Sequence, residues 1–309
     1  MKLLERLLVQ SRRAKGVLFD VTSFTQSLGS ELLTNPGDVF GFTLDDPTSW
    51  TISGEVLLDP AVHQVGVGDD HLGIGLGYVN LYSSLTNQQP RMQQSVLSVG
   101  TIYELALVID TVTSGELILL DASSGISKTF TTAGAKIVMG RAANAALQLR
   151  GGTAATDVTV KSISAKAVTL NAVRTAAVNT DIRAAFTLPG SPVVGQRIEL
   201  WYRLPAGEPY NDGWVAYLEY NGSEWQFILD RYSSAVHTEV IAAVNAGTPN
   251  VLRVMTNGNQ HIGFTGVAGI NGGYTQRGAT QTNATHNTAV QSLLLYSSGI
   301  TGNKQHRAI

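Results

Sequence analysis

Residues 103–110 read YELALVID and residues 115–121 read GELILLD. Both alternate apolar and polar positions, the period of a strand that buries one face and wets the other. The residues between them, TVTS, make a short connection, so the spacing predicts an antiparallel pair of strands in a sandwich. The same grammar runs through most of the chain. After Gly16 helical periodicity almost vanishes, and short β-type runs follow one another between turn signals. They extend from Val17–Phe24 to Val158–Val168 in the first half, and from Arg183–Leu188 to Gln291–Ser298 in the second. Half-apolar strands must cover their faces on one another. The expected class is all-β, with two tandem antiparallel β-sandwich domains.

Turn chemistry marks two hairpins. Asn221-Gly222 lies between Tyr220 and Trp225, and Asn257-Gly258 precedes His261. Asn-Gly readily adopts the left-handed backbone that a tight hairpin needs. Residues 266–288, rich in Gly, Asn and Thr, read as a long loop or as two loops around a short strand.

Residues 1–15 break the pattern. Leu3, Leu4, Leu7 and Leu8 share one helical face beside Glu5, Arg6, Arg12, Arg13 and Lys15, and Gly16 ends it. A helix of this length is marginal alone. Its leucine stripe either caps the first domain or docks on a neighbouring subunit. A membrane-surface helix is the third reading, less favoured because the stripe is short and lacks aromatic anchors.

Only 14% of the 309 residues are charged, against about 25% in average soluble domains. Hydrophobic residues make up 43%, and there are 32 glycines. Surface polarity then falls to Ser, Thr and Asn, as on outward-facing assembly proteins. The formal net charge of −2 leaves no general basic field, so no nucleic-acid partner is expected. The absence of cysteine excludes a thiol enzyme and a cysteine-ligated zinc site. No apolar run approaches the roughly 18 residues of a membrane span, and no membrane partner is expected. MKLLERLLVQSRRAKG carries charges inside its apolar stretch and no small-residue cleavage site. The chain is expected to fold in a reducing cytosol without a signal peptide, and to leave by a route such as lysis.

Three landmarks in order carry a resemblance over residues 30–168. ELLTNPG (31–37) is followed after a gap by TSWTISG (48–54), MQQSVLSVGTIY (92–103) leads into the central run, and DVTVKSISAKAV (157–168) closes the segment. This order resembles the carbohydrate-binding-module-like jelly rolls. The closing strand of that family often carries an acidic residue for a structural calcium. The matching position here is Lys161, and a hard cation wants several oxygen ligands, so no metal is expected. Residues 172–300 resemble a laminin-G or concanavalin-A-like sandwich of phage and bacterial surface proteins. RAAFTL (183–188), ELWYR (199–203), DGWVAY (212–217), NGSEW (221–225) and NVLRVMTNGN (250–259) carry it. The implied organisation is a docking helix over 1–15, a jelly roll over 16–168, a second sandwich over 169–303 and a C-terminal tail over 304–309.

Aromatic residues gather in the second half: Trp201, Tyr202, Tyr210, Trp214, Tyr217, Tyr220, Trp225, Phe227 and Tyr232. Sugars lay apolar C–H faces on such rings while polar neighbours meet their hydroxyls. Alternation in GWVAYLEY puts Trp214, Ala216, Leu218 and Tyr220 on one face and Val215, Tyr217 and Glu219 on the other, so most of the cluster is expected to be core. Trp50 and Tyr103 are assigned to the core likewise. Tyr210 and Trp225 adjoin turns and are the expected glycan-binding residues. Asp69-Asp70-His71, and Asp45-Asp46 before Pro47, read as turns. Glu199, Asp212, Glu219, Glu224 and Asp230 sit in ordinary strand or turn contexts, as do His237 and His261 in alternating strands. No G-x-S-x-G, P-loop or H-E-x-x-H motif occurs, so neither a catalytic residue nor a cofactor is expected.

These readings converge on a non-enzymatic bacteriophage virion protein, part of a tail, fibre or head appendage. The expected partners are other virion proteins, copies of itself (a trimer, by analogy with phage fibres) and host surface glycans. Two rival readings remain: an accessory carbohydrate-binding module of a secreted polysaccharide-processing system, and a glycan-cleaving enzyme.

Overall fold

In a computed structural model of the protein, the structure describes residues 20–22, 26–32, 51–53, 55–57, 70–75, 78–83, 86, 89–123, 125–170, 174–175, 179–205, 209–267, 273–289 and 291–308. The helix expected over 1–15, with Leu3, Leu4, Leu7 and Leu8, lies outside them, as do Asp45, Asp46, Trp50 and Asp69. The described residues contain no helix, and hence none long and apolar enough to cross a membrane. Their regular structure is all strand, in antiparallel sheets with one parallel pair.

The first strands are β1 (Asp20–Thr22), β2 (Gln26–Glu31), β3 (Thr51–Ser53), β4 (Glu55–Leu57), β5 (Asp70–Gly75), β6 (Tyr78–Ser83) and β7 (Arg91–Ser95). Next come β8 (Ile102–Ser114), β9 (Leu117–Asp121), β10 (Ser127–Phe130), β11 (Gly134–Arg141), β12 (Ala146–Gly151) and β13 (Thr156–Leu170). Then follow β14 (Arg174–Thr175), β15 (Thr180–Thr187), β16 (Arg197–Leu204), β17 (Gly213–Tyr220), β18 (Trp225–Ser233) and β19 (Val236–Gly247). The last are β20 (Val251–Asn257), β21 (Gln260–Gly266), β22 (Tyr274–Thr282), β23 (Gln291–Tyr296) and β24 (Thr301–Ala308).

The chain divides into two compact units, one of residues 27–169 and one of residues 1–26 together with 170–309. This corrects the expected organisation at both ends. Residues 20–22, placed above in the first module, pair as β1 with residues 304–306 of β24. Residues 304–308, expected as a tail, belong to that strand, which also pairs with β15 along its whole length. The second unit is therefore discontinuous in sequence.

In the continuous unit, β10-β9-β12-β7-β3 form one sheet, and β11-β8-β13-β6-β5-β4, with β2 also on β13, form the other. Their alternate side chains make one core. Met92, Leu117, Leu119, Phe130, Leu147 and Leu149 come from the first sheet, and Leu81, Tyr103, Leu105, Leu107, Ile109, Val158, Val160, Ile163 and Ala165 from the second. The inward positions of β13 change parity from Val160 to Ile163, where the ladder to β8 shifts register. A bulge of this kind adds one residue and so keeps the apolar side inward on both sides of it, leaving Lys161 exposed.

YELALVID and GELILLD are not partners. β8 pairs with β11 and β13, whereas β9 pairs with β10 and β12, in different sheets. Their alternation has another cause: each buries one face in the same core. The chain crosses between sheets at Gly115, whose φ of 69° suits a residue without Cβ. Across the core, Asp121 is fully buried and latches two loops. Its Oδ1 accepts the backbone N–H groups of Ser123 and Gly125, and its Oδ2 those of Ala143 and Asn144.

In the discontinuous unit the sheets are β1-β24-β15-β20-β21-β22 and β14-β23-β16-β17-β18-β19. Ile182, Ala184, Phe186, Leu252 and Val254 of the first meet Leu200, Tyr202, Trp214, Ala216, Leu218, Trp225, Phe227, Leu229 and Leu294 of the second. The face assignment within GWVAYLEY follows the alternation, and both Asn-Gly hairpins form, joining β17 to β18 and β20 to β21. Of the two alternatives for residues 266–288, the strand between loops is the one found: residues 274–282 form the edge strand β22. Arg277 ties that edge to β19 by donating to the carbonyls of Asn245 and Ala246.

Candidate functional site

The β17–β18 hairpin builds one wall of a pocket. Asn221 folds the turn: its Oδ1 accepts the N–H groups of Ser223 and Glu224 and the Ser223 hydroxyl, all at 2.9–3.0 Å. Tyr220 and Trp225 then face each other across the ladder, ring centroids 5.5 Å apart. On the neighbouring strand, pairing shifts from Trp225–Gly247 to Gln226–Asn245, so Ala246 is an extra residue. That irregularity places the Asn245 amide on Glu224, where Nδ2 donates to Oε2, while Asn245 Oδ1 accepts the Gly247 N–H at 2.7 Å. The opposite wall is Phe186, Leu188, Pro189, Pro192 and Pro249. The cavity measures about 660 Å³, within the range that holds a drug-sized ligand. Among the described residues Glu224 is the only ionisable group in it besides the Tyr220 phenol. Trp225 reaches the pocket from the core side and is 4% exposed.

Tyr210 lies elsewhere. Leu200 and Tyr202 point into the core, so Glu199 and Trp201 between and before them take the outer face of the same sheet. Buried Glu199 Oε2 accepts from Trp201 Nε1 at 2.8 Å and from the Tyr210 hydroxyl at 2.7 Å. The Tyr210 ring packs edge-on against Trp201 and Tyr232. Arg197 lies 3.5 Å from Glu199, pairs more closely with Glu219, and sits over the Tyr217 ring. The Tyr217 hydroxyl donates to buried Asp230, which also holds His237 at 2.8 Å. Burial drives the Glu199 carboxyl above its ordinary range, against the pull of Arg197 and of its hydrogen bonds. Burial alone would lower Arg197, but Glu219, Tyr217 and Glu199 together hold it well above its usual value. The hydrogen bond to Asp230 raises His237, outweighing its burial.

A third cluster sits at the core edge. Fully buried His261 stacks on Trp214 with centroids 3.9 Å apart, and its Nδ1 lies 3.2 Å from the Tyr202 hydroxyl. Burial and the neighbouring Arg203 cation push its imidazole down to about 4.

The two expected glycan-binding residues are thus separated. Trp225 lines the pocket, whereas Tyr210 is a hydrogen-bond donor in the network on the outer face. Sequence reading left out Tyr220, Glu224 and Asn245 as a group. The Asn-Gly turn marks the first two, but Asn245 is 21 residues from Glu224 and meets it only through the irregular pairing of β18 with β19. Asp70 and His71 are in β5. Among the described residues no group of three or more His, Cys, Asp or Glu could hold a metal ion.

No protein-family model and no curated protein matches the chain. Two solved structures are similar at 8% identity. One is a mutant of the GH43 protein BlXynB from Bacillus licheniformis, with 77% of this chain covered and a TM-score of 0.32. This chain spans 63% of that structure's length, less than two thirds. The other is the CBM2 module of the evolved Dit of Lactobacillus casei BL23 phage J-1, with 92% of this chain and 96% of that one covered and a TM-score of 0.23.

Proposed function

We propose that this protein is a non-enzymatic structural component of a bacteriophage virion, part of a tail, fibre or head appendage, and that its discontinuous unit contacts host surface glycans. The observation that carries the glycan contact is the pocket beside Trp225. It offers an aromatic and proline wall for the C–H face of a sugar and a carboxylate–amide pair for its hydroxyls. Among the described residues one carboxylate lines it, and glycosidases work with two. Glu199 is engaged by Trp201 and Tyr210 on the sheet face turned away from the pocket. These features favour binding over cleavage.

The low charge and the Ser, Thr and Asn-rich strands support a role in an assembly, with other virion proteins and further copies of this chain as partners. A trimer is the oligomer proposed, with residues 1–15 as the docking element. Imaging of particles carrying a tagged copy tests the assembly role, and absence of the tag from every particle refutes it. For the pocket, Tyr220→Ala and Asn245→Ala should each abolish glycan-array signal while leaving the unfolding temperature within a few degrees of the parent. Full signal from both folded variants refutes the glycan contact.

A further inference from the structure

The hydrogen-bond bookkeeping of the pocket points to one class of sugar. Several of its donors are already engaged inside the protein. The Tyr220 hydroxyl donates to the Gly222 carbonyl at 3.0 Å, and the Ser223 hydroxyl donates to Asn221 Oδ1 at 2.9 Å. One N–H of the Asn245 amide donates to Glu224. The backbone N–H groups of Ser223, Glu224, Gly247 and Asn250 are donated to Asn221, Asn221, Asn245 and Gly266. Pro189, Pro192 and Pro249 have no N–H at all. What these groups leave for a ligand is chiefly lone pairs: two hydroxyl oxygens and the Glu224 carboxylate, which only accepts when ionised. The Thr187 and Thr248 hydroxyls can serve either way. Among the described residues no Lys, Arg or His lines the pocket, and Arg277 is turned to the carbonyls of Asn245 and Ala246.

Resting on the glycan reading above, we infer that the pocket selects an uncharged, hydroxyl-rich sugar and rejects acidic ones, with Glu224 as the residue that sets the choice. A neutral pyranoside brings several O–H donors to these acceptors and no charge toward Glu224. A uronate, sialate or sulfate brings acceptors and a negative charge toward Glu224. Two unit charges about 4 Å apart cost about 1 kcal/mol in bulk water and more near a protein surface. That corresponds to at least about fivefold in affinity.

The test uses the full chain on an array of neutral oligosaccharides and their uronate- or sulfate-bearing counterparts, followed by calorimetry on the best-bound neutral sugar and its acidic partner. The expected result is preference for the neutral member by about fivefold or more. In Glu224→Gln, which removes the charge and adds an amide donor, the ratio should fall toward one. The variant's far-ultraviolet circular dichroism and unfolding temperature verify that it is folded. Equal or tighter binding of the acidic sugar, lost in Asn245→Ala, overturns the selectivity and leaves the glycan contact standing. A preference unchanged in folded Glu224→Gln overturns the role of Glu224. If the folded parent binds no sugar of either kind, the glycan reading falls and this inference with it.

Discussion

Asp121 and His261 show how single polar residues are made safe in an apolar interior. Asp121 satisfies four backbone N–H groups that have no ladder partner in the 121–126 and 142–146 loops. An alanine there leaves the four without their acceptor, so Asp121→Ala should lower stability by about 1–3 kcal/mol. Urea unfolding of the continuous unit measures it, and a loss under 1 kcal/mol would show the latch to be dispensable. His261 predicts a pH dependence. Unfolded, its imidazole titrates near 6.5; folded, it is pushed down to about 4. Between those values the unfolded chain binds more protons, so stability falls as pH drops from about 6.5 toward 4, by up to about 3 kcal/mol. His237 acts with the opposite sign. Its raised pKa gives stability that is complete below 6.5 and lost as pH rises through the folded value. Exposure of 49% weakens that contribution through solvent screening. Thermal unfolding of the parent and of His261→Gln between pH 7 and 4.5 separates the two, since the glutamine variant should lose most of the acid-side slope.

At the scale of elements, the crossing at Gly115 joins the two sheets of the continuous unit. A Cβ there would lie 2.5 Å from the Ala155 carbonyl oxygen, on a backbone with φ of 69°. Gly115→Ala should therefore cost about 1–3 kcal/mol, read as a fall in unfolding midpoint. This crossing also explains where strand-level reading succeeds and where it stops. Alternation reports which face of a strand is buried, so the inward residues of β8, β9 and β17 are legible in the sequence. It does not report which strand lies alongside, because two strands on opposite sides of one core alternate just as two neighbours do. β22 and β24 escape for a different reason. TGNKQHRA is polar at nearly every position, and the residues of β22 are half-exposed or exposed along its length, so neither carries a period of two. In the pocket, the Asn221 turn and Trp225 are visible as local signals. The Glu224–Asn245 contact depends on a register shift between long strands, which no local pattern encodes.

At the scale of the molecule, residues 27–169 interrupt the other unit. The continuous unit holds its own core and both its sheets, so a fragment of residues 27–169 should fold alone, with cooperative unfolding and dispersed amide resonances. A fragment of residues 170–309 keeps its core but lacks β1, so one side of β24 loses its partner. It should unfold at a lower temperature than the same unit in the full chain. The position of β24 also imposes an order in time. It lies between β1 and β15 and is made after every other strand of its unit. About 280 residues separate Thr22 from Thr301. At roughly 5–20 residues per second, β1 waits about 15–60 s on the ribosome for the strand that will hold it. Once β15 is made, its facing edge stays open for the roughly 115 residues that separate Thr187 from Thr301, so a chain halted short of residue 301 exposes an unpaired sheet edge to proteases and to other nascent chains. Pairing of β24 with both β1 and β15 is thus the step that closes this open edge.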